Sequence, residues 1–366
     1  MEKVGARLDS MQEKLLDLYT DYLISSFGQV TATGLSRLLD GAVSHDQVTR
    51  FLSSEPQRSA DLWRVAKPLV RQMESDSGVI VIDDSIEEKQ FTDENELICW
   101  HWDHSQGRNV KGINFLSALY VTDQGAVPVA FDLVAKEHAY VDEKTGNLRR
   151  KSSVSKNERY RSLLRIVVHN QVKFGYVIND SWYASADNMK MIKRDLKKEF
   201  VMPLKSNRKV ALSLAAKERG QYQAVSSLEL PVDETREVWL EEVPFALSVT
   251  KQVFINEDLS EGTLYLVTSD LTLLYDQMQK LYQRRWRIEE YHKSLKQNAA
   301  LEKSPTRTPT TQRNHLFASL CAYLKLESMK WRTKLNHFAL KSKIYQSALK
   351  AAYKELVNLN PQPLAA

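Results

Sequence analysis

Apolar and polar positions follow three successive patterns along the 366-residue chain. Up to about residue 75 the apolar positions recur at helical spacing, which predicts helices. In TATGLSRLLDGAVSHDQVTRFLSS a first helix over about 33–39 ends at Asp40-Gly41. A second starts from Ser44 as N-cap and runs to about Ser53. Two short helices around a Gly-containing turn fit either a helix-turn-helix DNA-binding unit or a plain helical hairpin. The pattern then changes to short apolar runs. GVIVIDDS reads as a buried strand over Val79–Ile82 that stops at two aspartates, and INFLSALYV and AVPVAFDLV read as two strands joined by the TDQG turn. NERYRSLLRIVVHNQVKF is a helix closed by Gly175. YVINDS is another short strand running into Asp180, and ASADNMKMIKRDLKKEF is a helix capped by Ser185.

The order strand, strand, strand, helix, strand, helix predicts an α/β fold with a mixed sheet flanked by helices. Strand carboxyl ends in such sheets are where ligands usually bind. From residue 200 to 270, EVWLEEVPFALSVTKQVF and GTLYLVTS are strand-like and acidic, and from 271 the chain is helical again. The expected organisation is a helical N-terminal region (1–75), a core in two parts (76–199 and 271–330), a β-rich insertion (200–270) and a helical tail (331–366).

Composition narrows the class without naming a function. With 43% hydrophobic and 27% charged residues the chain can bury a sizeable core, and disorder is excluded as its theme. No apolar run reaches membrane-spanning length and the N-terminus is no signal peptide, so a soluble, cytoplasmic protein is expected. Two cysteines leave no zinc-site spacing. The net charge of +5 is unevenly spread. Lys144–Arg165 holds eight Lys/Arg against one acid and Lys303–Lys350 ten against one, whereas Glu229–Glu261 holds nine acids against two bases. Each block could be a solvated face, but two basic blocks flanking one candidate site point to a polyanion partner.

YQRRWRIEEYHKSLK, residues 282–296, carries the densest chemistry. At about 100° per residue, and with Tyr282 at zero, Arg285, Glu289 and Lys296 fall near 300°, 340° and 320°. All four share one stripe. Leu274, Leu281, Ile288 and Leu295 form an adjacent apolar stripe that would anchor the helix. The spacing Y-x-x-R-x-x-x-E-x-x-x-x-x-x-K resembles the signature of insertion-sequence transposases of the DDE type, the subgroup with a Y-R-E-K motif. The aspartates at 84 and 180 and the insertion before Glu289 agree with it.

The resemblance implies a ribonuclease H-like core over about residues 75–330, with Asp84, Asp180 and Glu289 as catalytic metal ligands. Two Mg²⁺ ions, for which Mn²⁺ substitutes, are the implied cofactors, in keeping with hard cations that take oxygen ligands. Asp83 is the alternative to Asp84, whose following hydroxyl residue, Ser85, matches the family. Asp180 could instead cap the next helix, and Glu289 could pair with Arg285 or Lys293 on a surface. Tyr282, Arg285 and Lys296 would contact phosphates, Arg285 as a fork and Lys296 as a point charge. The implied reaction is water attack at the transposon end, then attack by the freed 3′-hydroxyl on target DNA, often through an end hairpin. The implied partners are transposon-end and target DNA, met by a homodimer at a bacterial nucleoid, with the C-terminal tail as a candidate contact.

In CWHWDHSQGRNVKG, His101, Asp103 and His104 lack the further ligand pair a zinc site needs. A loop over the active site is expected there, with His104, Arg108 or Lys111 touching DNA, and Lys89 is a similar candidate. Trp239 reads either as a base-stacking residue or, given Glu237, Glu241 and Glu242 around it, as a core tryptophan.

Overall fold

A computed structural model describes residues 10–103, 106–256 and 258–360. Four helices open the chain: α1 (Ser10–Ser25), α2 (Ala32–Leu38), α3 (His45–Leu52) and α4 (Ser59–Met73). Asp40 and Gly41 take positive φ in the turn after α2, and Ser44 closes a reciprocal capping box with Gln47. That box satisfies amides a helix start otherwise leaves open. Leu23, Leu35, Leu62 and Val70 from these helices join the same apolar cluster as the sheet.

The sheet begins with β1 (Val79–Glu88), β2 (Ile98–Asp103), β3 (Arg108–Thr122) and β4 (Gly125–Leu133). A separate hairpin, β5 (His138–Val141) and β6 (Leu148–Lys151), leads into α5 (Lys156–His169). Then come β7 (Tyr176–Ile178), α6 (Ala186–Lys190), which continues as one wide turn to Asp195, and β8 (Glu199–Leu204). Strand order across the core is β4-β3-β1-β7-β8. The β4–β3 and β3–β1 pairs are antiparallel, and β1–β7 and β7–β8 are parallel. Three antiparallel strands followed by two parallel ones reached through helices is the ribonuclease H-like arrangement expected from the sequence.

The acidic stretch continues this sheet. β9 (Lys209–Ala211), α7 (Leu214–Glu218), β10 (Gln223–Ala224), β11 (Thr235–Leu240), β12 (Leu247–Ile255) and β13 (Glu261–Thr268) follow. β13 pairs with β8, so all these strands extend one eleven-stranded sheet. The chain closes with α8 (Tyr275–Gln283), α9 (Trp286–Asn298), α10 (Pro309–Thr333) and α11 (His337–Leu359). Among the described residues no helix is long and apolar enough to cross a membrane.

Four local readings need correction. The helix read over ASADNMKMIKRDLKKEF ends by Asp195, and Glu199 and Phe200 open the core strand β8 instead. β1 does not stop at the aspartates: Asp83 and Asp84 pair with Ser117 and Leu116 of β3, and the ladder runs on to Glu88. At its far end Gly112 is required, because a Cβ there would lie 2.1 Å from the Glu87 carbonyl oxygen. The CWHWD segment is strand β2 rather than a loop, paired along the first half of β3. Finally, 282–296 is not one helix. The chain tightens at Arg284 and Arg285, whose amides bond to Leu281 and Tyr282 three residues back. Ile288 and Leu295 are buried as expected, whereas Leu274 caps α8 and is exposed.

Candidate active site

Adjacent residues on a strand point to opposite faces, so Asp83 and Asp84 bond to different partners, though both lie within electrostatic reach of Asp180. Asp84 turns toward α5. Its Oδ1 accepts from the Tyr183 hydroxyl at 2.6 Å, and its Oδ2 accepts from Asn114 Nδ2 at 2.6 Å and Lys156 Nζ at 2.7 Å. Burial alone would raise this carboxyl, but Lys156, Tyr183 and Asn114 outweigh burial and hold it below the usual range.

Asp83 turns toward α9. Its cross-strand neighbour Ser117 bonds to the Tyr291 hydroxyl of that helix at 3.0 Å. Arg285 Nη1 lies 3.9 Å from Asp83 Oδ2, and Arg285 Nη2 donates to Glu289 Oε1 at 2.5 Å. One guanidinium therefore links the β1 aspartate to the α9 glutamate. Burial, then repulsion from Asp180 and Asp84, pushes the Asp83 carboxyl up to about 7. Asp180, two residues beyond β7, is also raised, by burial first and by Asp84 among its neighbours. It accepts from the amides of Trp182 (3.0 Å) and Tyr183 (3.4 Å), a tight turn that also delivers the Tyr183 hydroxyl to Asp84.

Tyr282 lies under Arg285, with 6.0 Å from guanidinium carbon to ring centre, and its hydroxyl is pushed up to about 12 by burial. Lys296 reaches back to β1. Its Nζ donates to the Ile86 carbonyl at 3.0 Å and pairs with Glu302 at 3.0 Å. Of the remaining expected contacts, Arg108 is exposed and paired with Glu88, and Lys111 stands opposite Trp100. His104 lies outside the described residues. Lys89 is buried against Glu87 and donates to the Ser304 carbonyl, a structural role. Trp239 is half-buried on β11 with Lys217 Nζ 5.8 Å from its ring centre.

The structure thus gathers Asp83, Asp84, Asp180, Arg285, Glu289 and Tyr282 where β1 and β7 meet the α8–α9 joint. Arg284 pins that joint by donating to the Ser77 carbonyl (2.6 Å) and to Asp123 (2.9 Å). Among the described residues no three His, Cys, Asp or Glu side chains converge tightly enough to hold a metal ion. The reason is local, since Glu289 is turned onto Arg285. The donor chemistry nevertheless fits a hard divalent cation: all carboxylate oxygen, with Asp83 and Asp180 repelling each other more than Arg285 relieves. Sequence reasoning missed Lys156, Tyr183 and Asn114. The only hint was that Lys156 stands in the first basic block and Tyr183 three residues after Asp180.

Two family models match the chain. One, described as "DDE superfamily endonuclease", covers residues 6–224 and so includes the β1 aspartates and Asp180. The other, described as "Archaeal putative transposase ISC1217", covers residues 129–338 and includes Asp180 and Glu289. No curated protein matches the sequence. Among solved structures the "Drosophila P element transposase strand transfer complex" aligns at 12% identity and TM-score 0.27, over 52% of this chain and 38% of that one. A likeness that low says nothing about the reaction or the site.

Proposed function

The chain belongs to the DDE superfamily of endonucleases, and on that premise we propose that it is a transposase that cuts and rejoins the ends of its own insertion sequence. The observation that carries the reading is the gathering of Asp180, the β1 aspartates and the Arg285–Glu289 pair at one place on a ribonuclease H-like sheet. The Y-R-E-K spacing supports that subgroup.

Asp180 and Glu289, with a carboxylate of β1, would hold two Mg²⁺ ions, or Mn²⁺ in their place. The sequence pattern nominates Asp84 for that third position. The geometry favours Asp83, because Asp84 is already held by three donors, whereas Asp83 is approached only by Arg285, the cation tied to Glu289. Bound there, divalent ions would supply activation of the attacking oxygen and charge stabilisation of the leaving one in an in-line displacement. The chain's own residues do the rest. Glu289 releases Arg285, whose planar fork then takes a phosphate of the bound end. Tyr282 keeps the guanidinium aligned. Lys296 leaves Glu302 for the same strand as a point charge.

The partners are the transposon ends and target DNA, with two protomers bridging paired ends. Support for a second copy comes from α11, where Leu349, Tyr353 and Leu356 recur at helical spacing and are exposed. A catalytically inactive DNA-binding relative is the second reading, favoured only by the Arg285–Glu289 tie. Incubating the purified chain and Mg²⁺ with a plasmid carrying its element, then sequencing released and joined ends, decides. Excision and rejoining at fixed nucleotides support transposition. Nicks without joining indicate a nuclease, and binding without cutting indicates the inactive relative.

A further inference from the structure

Strand β2 ends the sheet and presents two tryptophans on one face, Trp100 and Trp102, each about half exposed (52% and 51%). Beside them the β5–β6 hairpin contributes Tyr140, Arg149 and Arg150, and Lys136 completes a cavity of about 700 Å³. Three cations line it against one acid, Glu94. The parts are built rather than loose. Lys136 Nζ donates to the Trp100 carbonyl at 2.6 Å, Arg149 is aligned by Asp142 at 3.1 Å, and Lys151 lies 5.6 Å above the Tyr140 ring. A solvated strand face has no need of two tryptophans walled by arginines.

We infer that this groove binds an unpaired DNA strand, with bases stacked on Trp100 and Trp102 and phosphates held by Arg149, Arg150 and Lys136. Flat aromatic faces accept any base, and a cationic wall follows the backbone, which is how single strands are bound without sequence choice. A duplex would not reach both rings, because its bases are already stacked on one another.

Position agrees with this. Trp100 pairs with Lys111, whose carbonyl bonds to the Lys89 amide, and Asp84 is five residues along β1. At about 3.3 Å per residue and about 4.8 Å per strand, the Trp100 backbone lies roughly 20 Å from Asp84, and the Lys136 end of the groove is nearer, within electrostatic reach of Lys156, which bonds Asp84. The longer distance is about six nucleotides at the ~3.4 Å rise per strand of DNA. The groove would therefore take the strand opened beside a cut end. The inference rests on the transposase reading for its biological role, but not for its test.

The test titrates the full chain into fluorescent oligo(dT)15 and into a duplex of equal length, reading anisotropy and tryptophan quenching. Expected is binding of the single strand with quenching, weakened at least tenfold in a Trp100→Leu/Trp102→Leu variant whose duplex binding and melting temperature match the parent. Arg149→Gln, a milder surface change, should lower the salt slope of single-strand binding by about 0.7. Parental single-strand affinity in the double variant, or an unchanged salt slope in Arg149→Gln, overturns the inference. A chain that binds oligo(dT) through this groove but never cuts its element leaves the groove standing and removes the transposase. Cutting with no role for the groove does the reverse.

Discussion

Replacing the two β1 aspartates by asparagine one at a time should destabilise the chain at Asp84 but not at Asp83. Asp84 accepts three short hydrogen bonds, one from a lysine, in a partly buried place. Asp84→Asn keeps the shape but removes the charge that Lys156 answers and turns an amide toward existing donors. Breaking a buried pair costs about 3–5 kcal/mol; Lys156 keeps access to water, which reduces this to about 2–3 kcal/mol. Asp83 is different. Its one cation is 3.9 Å away, and Asp180 and Asp84 both repel it. Asp83→Asn retains the Oδ1 that accepts the Asp84 amide and removes the repulsion, so the change should lie within about 1 kcal/mol of neutral or stabilise. At about 2 °C per kcal/mol for a chain of this size, Asp84→Asn should melt about 5 °C below the parent in metal-free buffer, and Asp83→Asn at or above it. Adding Mg²⁺ should raise the melting temperature of Asp84→Asn but not of Asp83→Asn. If Asp84→Asn melts with the parent, or Mg²⁺ stabilises Asp83→Asn and not Asp84→Asn, the assignment of faces and roles on β1 is wrong.

Lys296→Met keeps the apolar stem, so it should cost no more than about 1 kcal/mol while lowering the salt slope of end binding by about 1. A fall in melting temperature with an unchanged slope would make Lys296 purely structural. Burial holds His101, His292 and His337 near 3 and His315 near 4 in the folded chain. The unfolded chain, with ordinary histidines, therefore binds more protons below about pH 6.5, and stability falls as pH drops through that value. At about 1.4 kcal/mol per pH unit each histidine costs on the order of 2 kcal/mol by pH 5, so His315→Gln should flatten the decline in urea titrations between pH 7 and 5. An equal slope in that variant would refute the assignment. Leu349→Lys/Tyr353→Lys/Leu356→Lys alters only exposed positions. It should melt normally yet lose the two-end complex on a native gel, and normal pairing would free α11 of that role.

Much of the architecture was written in local pattern. Ser44 and Ser185 announced helix starts because a capping hydroxyl needs only its next three residues. The strand–helix alternation that yields β1, β3, β4, α5, β7 and α6 was legible for the same reason. Misreadings arose where distant pairing overrode local polarity. β1 runs through two aspartates because β3 pairs with it throughout, and the His- and Trp-rich β2 survives as a strand because β3 supplies its ladder. The break at Arg284–Arg285 is invisible to an ideal 100° wheel, since it depends on Arg284 reaching Ser77 and Asp123. Within the site, order and spacing nominated Asp180 and the Y-R-E-K positions, and the structure brings Asp180, Tyr282, Arg285 and Glu289 near one another while Lys296 reaches the Ile86 carbonyl instead. Lys156 and Tyr183 could not, because they meet Asp84 from 72 and 99 residues away.

The most direct measurement compares the parent with Glu289→Gln on a plasmid carrying the element and its flanks, across Mg²⁺ concentrations including none. The parent should break both ends at fixed nucleotides only when Mg²⁺ is present. Glu289→Gln should bind the same ends at least as tightly, having lost one repelling charge, and should cut none at any Mg²⁺ concentration. Cleavage by Glu289→Gln at the parental rate, or cleavage by the parent in the absence of any divalent ion, would contradict this reading.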